Sequence, residues 1–149
     1  MKAFTIRLGL AFAFSLFLQA CQVQFVADYD GQLATQIENA AEAIDYFYLS
    51  MGENTTGEFG ARSYQYFKED YLKIEVQLNS IVRKNRIQPL NENSTRIAAM
   101  TLDKWIEYKE MHKKKDSISD ADIKLNRLTM SDFFYAMLVA EEGKKMAQP

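Results

Sequence analysis

The chain has 149 residues, 48% of them hydrophobic, a formal net charge of −2 and a single cysteine. One cysteine excludes an intrachain disulfide framework, and the faintly acidic balance excludes a nucleic-acid binder, which needs a net basic surface. With only two prolines and six glycines among many aromatic residues, a disordered stalk is excluded too.

Lys2 and Arg7 precede an uncharged apolar run from Leu8 to Leu18, and Leu18-Gln19-Ala20-Cys21 follows. A basic n-region, an apolar h-region and a small residue before the cleavage point make residues 1–20 a cleaved secretory signal peptide. The 11-residue run would rise only ~16 Å as a helix, short of the ~30 Å hydrocarbon core, so an uncleaved spanning anchor does not fit. A cysteine at the cleavage point resembles the lipobox of bacterial lipoproteins, which implies lipidation of Cys21. Removing Lys2 and Arg7 with the signal leaves 16 basic against 20 acidic residues, a formal charge of −4.

Residues 21–27 read as the lipidated cysteine and a short tether, and 28–149 as one domain. Asp28 and Asp30 offer N-caps for a first helix. Leu33, Ile37, Ala40, Ile44, Phe47 and Met51 then recur at alternating spacings of four and three, one buried helical stripe. The turn-rich stretch Gly52 to Gly57 ends it. A second helix is predicted from near Glu58, with Tyr64, Phe67, Tyr71, Ile74, Leu78 and Ile81 on its stripe. It should fail near Asn85, because Pro89 bars continuation and pushes Gln88 out of the helical region.

Asn93 or Ser94 can cap a third helix carrying Ile97, Met100, Leu102, Trp105, Tyr108 and Met111. The fourth opens with Ser119 and Asp122 as a capping-box-like pair and Ile118 and Ile123 as a hydrophobic staple. Ile123, Met130, Phe134 and Met137 form its stripe, widened by Leu125, Leu128, Phe133 and Leu138, with Gly143 as a C′ residue. Four such helices with short loops predict an all-α, up-down-up-down four-helix bundle.

The tether spans at most ~20 Å, so one end of the bundle should sit near the membrane. Up-down topology puts the loop between helices 2 and 3 and the C-terminus at that end, with Arg83, Lys84, Arg86, Lys144 and Lys145. These side chains can meet anionic headgroups, or simply complement the negative C-terminal ends of helices 2 and 4. Gly52 to Gly57 and His112-Lys-Lys-Lys115 belong to the opposite end.

Candidate chemistry is sparse. His112 is the only histidine, which excludes a multi-histidine metal site, and the Glu-x-x-His pairs of di-iron bundles are absent. Its place among lysines at a helix C-terminus reads as a favourable charge on the helix dipole. No nucleophile motif, phosphate loop or Cys-x-x-Cys-His haem motif is present, so no enzyme activity and no cofactor are expected. Carboxylates such as Asp70, Glu75, Asp103, Glu107, Glu141 and Glu142 read mostly as solvated surface. The clusters Tyr46-Phe47-Tyr48, Tyr64-Gln65-Tyr66-Phe67 and Phe133-Phe134-Tyr135 each span too much of a helix for one stripe to bury. Some of these rings should therefore sit at the core boundary or in an exposed patch.

The part after Cys21 resembles a family of uncharacterised bacterial lipoproteins with an all-helical domain. The resemblance rests on Tyr29-Asp30, the run Tyr71-Leu-Lys-Ile-Glu-Val-Gln-Leu-Asn-Ser-Ile-Val-Arg83, His112 after the Trp105 helix, and Glu141-Glu-Gly-Lys-Lys145. Gly143 departs from the alanine expected there. The resemblance implies an envelope protein facing the periplasm and supplies no activity. Gln22, rather than aspartate, after the cysteine fits transfer to the outer membrane. Together these readings predict a non-enzymatic, lipid-anchored module that binds or scaffolds a protein partner. The alternative is a binding module for an apolar small molecule between aromatic-lined helices.

Overall fold

The computed structural model describes residues 25–54 and 60–147; Cys21 and the signal segment lie outside the described residues. Four helices follow in order: α1 (Gly31–Glu53), α2 (Tyr64–Ile87), α3 (Glu92–Lys115) and α4 (Asp120–Ala147). Each packs on the next and α4 returns to α1, closing a four-helix bundle. No strand occurs among the described residues, and none of their helices is long and apolar enough to cross a membrane.

The cap residues fix two of the starts. Asp30 accepts hydrogen bonds from the backbone N–H groups of Gln32 and Leu33, satisfying donors that a helix start otherwise leaves orphaned. Ser119 Oγ accepts from Asp122 N at 3.1 Å and donates to the Asp122 carboxylate, while Ile118 and Ile123 are both buried as the staple. The whole α1 stripe from Leu33 to Met51 is buried, and on α2 only Tyr64 of the expected row stays half-exposed.

Several boundaries differ from the sequence reading. Helix α2 starts at Tyr64, not near Glu58, because residues 60–63 form a turn around Gly60 at φ +80°. It runs two residues past Asn85, whose side chain folds back to donate to the Ile81 carbonyl. Pro89 then stops it, with Gln88 extended at ψ 129°. Helix α3 is capped at Asn91 rather than Asn93 or Ser94, with Thr95 N donating to Asn91 O. Helix α4 continues through Gly143, which is not a C′ residue.

The α3 stripe differs in part: Trp105 and Tyr108 are buried and Ile97 and Leu102 pack against the core, as expected. Its buried row is Ala98, Thr101, Trp105, Tyr108 and His112, whereas Met100 and Met111 are exposed. On α4, Leu125 and Leu128 face solvent instead of widening the core. The centre is aromatic: the Phe47 ring meets Phe67, Tyr71 and Trp105 edge-on at 4.7 to 5.7 Å. Such pairs contribute ~0.5–1.5 kcal/mol beyond burial. Trp105 also ties α3 to α2 by donating from Nε1 to the Tyr71 carbonyl at 3.3 Å.

Candidate functional site

The two ends of the bundle hold its polar constellations. At one end three segments converge: the chain entering at residues 25–30, the α2–α3 loop and the last turns of α4. Ala27 N donates to Leu90 O at 3.2 Å, and Asp30 N donates to Glu141 Oε1 at 2.8 Å. Lys144 Nζ reaches Glu141 Oε2 at 2.6 Å and Gln88 Oε1 at 3.2 Å, while Asn91 Nδ2 donates to the same Gln88 oxygen. Glu141 is 1% exposed and Lys144 5%, so a charged pair is enclosed where the apolar row of α4 ends.

Those contacts sort the five basic residues expected to face a membrane. Lys144 is not a surface charge; it is consumed by Glu141. Lys145 pairs with Glu142 and lies 4.2 Å over the Tyr29 ring. Arg83 and Arg86 are exposed and Lys84 is half-buried, and none of the three makes an ion pair among the described residues. Ala27, read as tether, is packed against the bundle. Cys21 falls outside the described residues.

At the opposite end, buried Arg62 acts as a bracket. Its guanidinium donates to the carbonyls of Asn54 and Gly52, at the end of α1, and to Asp120, at the start of α4. The Arg62 carbonyl in turn accepts from His112 Nε2 at 2.9 Å. A carbonyl can only accept, so Nε2 carries the proton and Nδ1 accepts from the Tyr71 hydroxyl at 3.1 Å. Burial pushes the His112 imidazole below its ordinary pKa, against the raising effects of the Arg62 carbonyl and Asp116. His112 is therefore a neutral connector in the interior, not the helix-end charge expected from its lysine neighbours.

A groove of about 600 Å³ runs between α1 and α4 beside this bracket, lined by Tyr48, Leu49, Gly52, Arg62, Ile123 and Arg127 among others. Among the described residues no three His, Cys, Asp or Glu side chains gather closely enough to hold a metal ion. Each aromatic cluster splits as its angular span requires. Tyr46, Tyr66 and Tyr135 are exposed, whereas Phe47, Tyr48, Phe67 and Phe134 are buried.

No family model, curated protein or solved structure matches this chain.

Sequence reasoning missed three pieces of this arrangement: Arg62, the Glu141–Lys144 pair and Asn91, whose Nδ2 also donates to the Asn85 carbonyl and side-chain oxygens at 3.0 Å. The pair had a signal. Met137, Glu141 and Lys144 continue the helical spacing of the α4 core row, and Glu and Lys three apart can meet on one face. Arg62 had none, since its partners lie on two other helices.

Proposed function

We propose that this protein is a bacterial envelope lipoprotein, anchored through Cys21 at the outer membrane and facing the periplasm. Its bundle is a non-enzymatic module that binds or scaffolds a protein partner. The observation that carries this reading is the position of chain entry. Ala27 joins the bundle at one end, only six positions after Cys21, so a lipid on that cysteine holds the domain by that end and leaves the other free. The lipobox-like Leu18-Gln19-Ala20-Cys21 supports the anchor. The outer face of α4 supports a protein partner: Leu125, Leu128, Tyr135 and Val139 are all at least half exposed there, at helical spacing.

A small apolar ligand is the second reading, and the α1–α4 groove favours it. Its place would be that groove, because the interior aromatic rings pack on one another.

Labelling cells with a palmitate analogue tests the anchor: wild type should incorporate it and Cys21→Ala should not. An unlabelled wild-type protein would sink the lipoprotein reading. A photo-crosslinking residue at Tyr135 should capture a discrete protein neighbour in intact cells; a co-purifying small molecule without such a neighbour favours the second reading.

A further inference from the structure

The end of the bundle where the chain enters carries more than basic residues. Phe25 and Ile87 are 82% and 81% exposed, and Met146 is exposed in the last turn of α4. Leu90 holds φ +58°, a left-handed conformation that a leucine rarely adopts and that normally goes to glycine or asparagine. Its side chain is nonetheless 46% exposed, so burial does not account for keeping leucine there. The Ala27–Leu90 hydrogen bond places Leu90 beside the entering chain.

Charge sits with this apolar rim in an ordered way. Arg83, Lys84 and Arg86 share the last turns of α2 with Ile87, and none is paired among the described residues. Elsewhere Lys68, Arg96 and Lys124 also make no ion pair among the described residues, but several cations along the helices are held. Lys73, Lys104 and Lys109 are each held by a carboxylate, those of Asp70, Glu107 and Glu75. Carboxylates at the end where the chain enters are largely engaged as well: Glu141 by Lys144, Glu142 by Lys145, and Asp30 as the cap of α1. The acids exposed there, Asp28 and Glu92, lie outside the α2 turn that carries the three cations.

Exposed apolar side chains with unpaired cations on the adjoining helix end are the composition of a surface that sits at the headgroup boundary. The chain between Cys21 and Ala27 reaches at most ~20 Å, too little to hold this end clear of a bilayer. We propose that residues 25–30, 87–91 and the last turn of α2 form a docking surface for an anionic phospholipid bilayer. Phe25, Ile87 and Leu90 enter its interface, and Arg83, Lys84 and Arg86 meet its headgroups. The inference builds on the lipid-anchor reading but does not need the lipid itself: the same surface, without the anchor, should recognise anionic membranes weakly.

The test uses the chain from Gln22 onward, which retains every packed residue from Ala27 and lacks the lipidation site. Its partition is measured by flotation on vesicles of phosphatidylcholine, with and without about one-third phosphatidylglycerol. Binding to the anionic vesicles alone, reversed by salt, is expected. Replacing Arg83, Lys84 and Arg86 by serine should weaken it at least roughly tenfold. The pair Ile87→Ser and Leu90→Asn should weaken it several-fold with an unchanged melting curve, because asparagine accepts a positive φ. Lys114→Ser with Lys115→Ser, at the far end, should change nothing. Equal binding to both vesicle types, no binding, or equal losses from the far-end variant would each overturn the proposal. Failure of palmitate labelling instead overturns the anchor and leaves the vesicle result standing.

Discussion

The carboxylate of Glu141 and the ammonium of Lys144 meet at 2.6 Å inside the bundle, one turn apart on α4, where the helix leaves its apolar row. Each has a second duty, Glu141 to the Asp30 backbone at the start of α1 and Lys144 to Gln88 at the end of α2. The pair thus fastens three helices at the end where the chain enters. Removing one partner strands the other charge out of water. Lys144→Met is expected to cost ~3–5 kcal/mol in urea unfolding, and Lys144→Met with Glu141→Gln clearly less than the two single changes summed. A cost under ~1 kcal/mol for the single variant would mean the pair is not enclosed.

The same substitution should have opposite signs at two buried tyrosines. Tyr71 donates to His112, so Tyr71→Phe leaves a buried imidazole acceptor empty and should destabilise by ~1–3 kcal/mol. The Tyr48 hydroxyl is fully buried and makes no well-formed hydrogen bond, though the Asn126 side chain lies close by. Tyr48→Phe should be neutral or stabilising by up to ~1 kcal/mol. Thermal melts of the two variants, side by side, check the contrast.

His112 should make stability depend on pH in a window of its own. Folding lowers its pKa, so on acidification the unfolded chain takes up the proton first. Stability present above pH ~6.5 is then lost as pH falls, at up to ~1.4 kcal/mol per unit. It is the only histidine, and unfolded carboxylates titrate near ~4, so the loss between pH ~6.5 and ~5.5 belongs to this side chain. Denaturant unfolding across that range should slope for wild type and be nearly flat for His112→Asn; parallel slopes would assign the effect elsewhere.

Gly143 lies inside α4 without a positive φ, and a Cβ there would meet no atom within 4 Å. Gly143→Ala should therefore stabilise by ~0.5–1 kcal/mol, through reduced freedom of the unfolded chain and better helix propensity. A left-handed C′ glycine would give the opposite sign. Calorimetric melting of the single variant decides between the two.

Arg62 brackets α1 and α4 from the α1–α2 connection. Truncating it to alanine orphans two carbonyls at the end of α1, and a loss of ~2–4 kcal/mol is expected. Arg62→Lys should recover only part of that, since one ammonium cannot reproduce a planar fork reaching three acceptors. Urea midpoints of the two variants measure both effects.

Legibility in the sequence followed hydrophobic contrast. The α1 row from Leu33 to Met51 is strongly apolar against polar neighbours, and it was readable residue by residue. The α3 row contains Ala98, Thr101 and His112, which carry little apolar signal, so Met100 and Met111 looked like core and proved to be surface. Helix ends were readable where a side chain reports its own cap, as at Asp30 and Ser119. They were misread where a distant group closes the helix: Asp116, at the end of α3, accepts from Tyr64 N at the start of α2.

By itself the sequence determined four helices and their order. These follow from local periodicity, capping chemistry and prolines, all of which act over a few residues. Tertiary structure alone decided which polar groups became interior. Lys144 is buried because Glu141 neutralises it and Gln88 completes its hydrogen bonds, and the His112 pKa is lowered because packing takes its ring out of water. Whether a charge faces water depends also on groups far along the chain, as Gln88 is from Lys144 and Asp30 from Glu141, and that information exists only once the helices have packed.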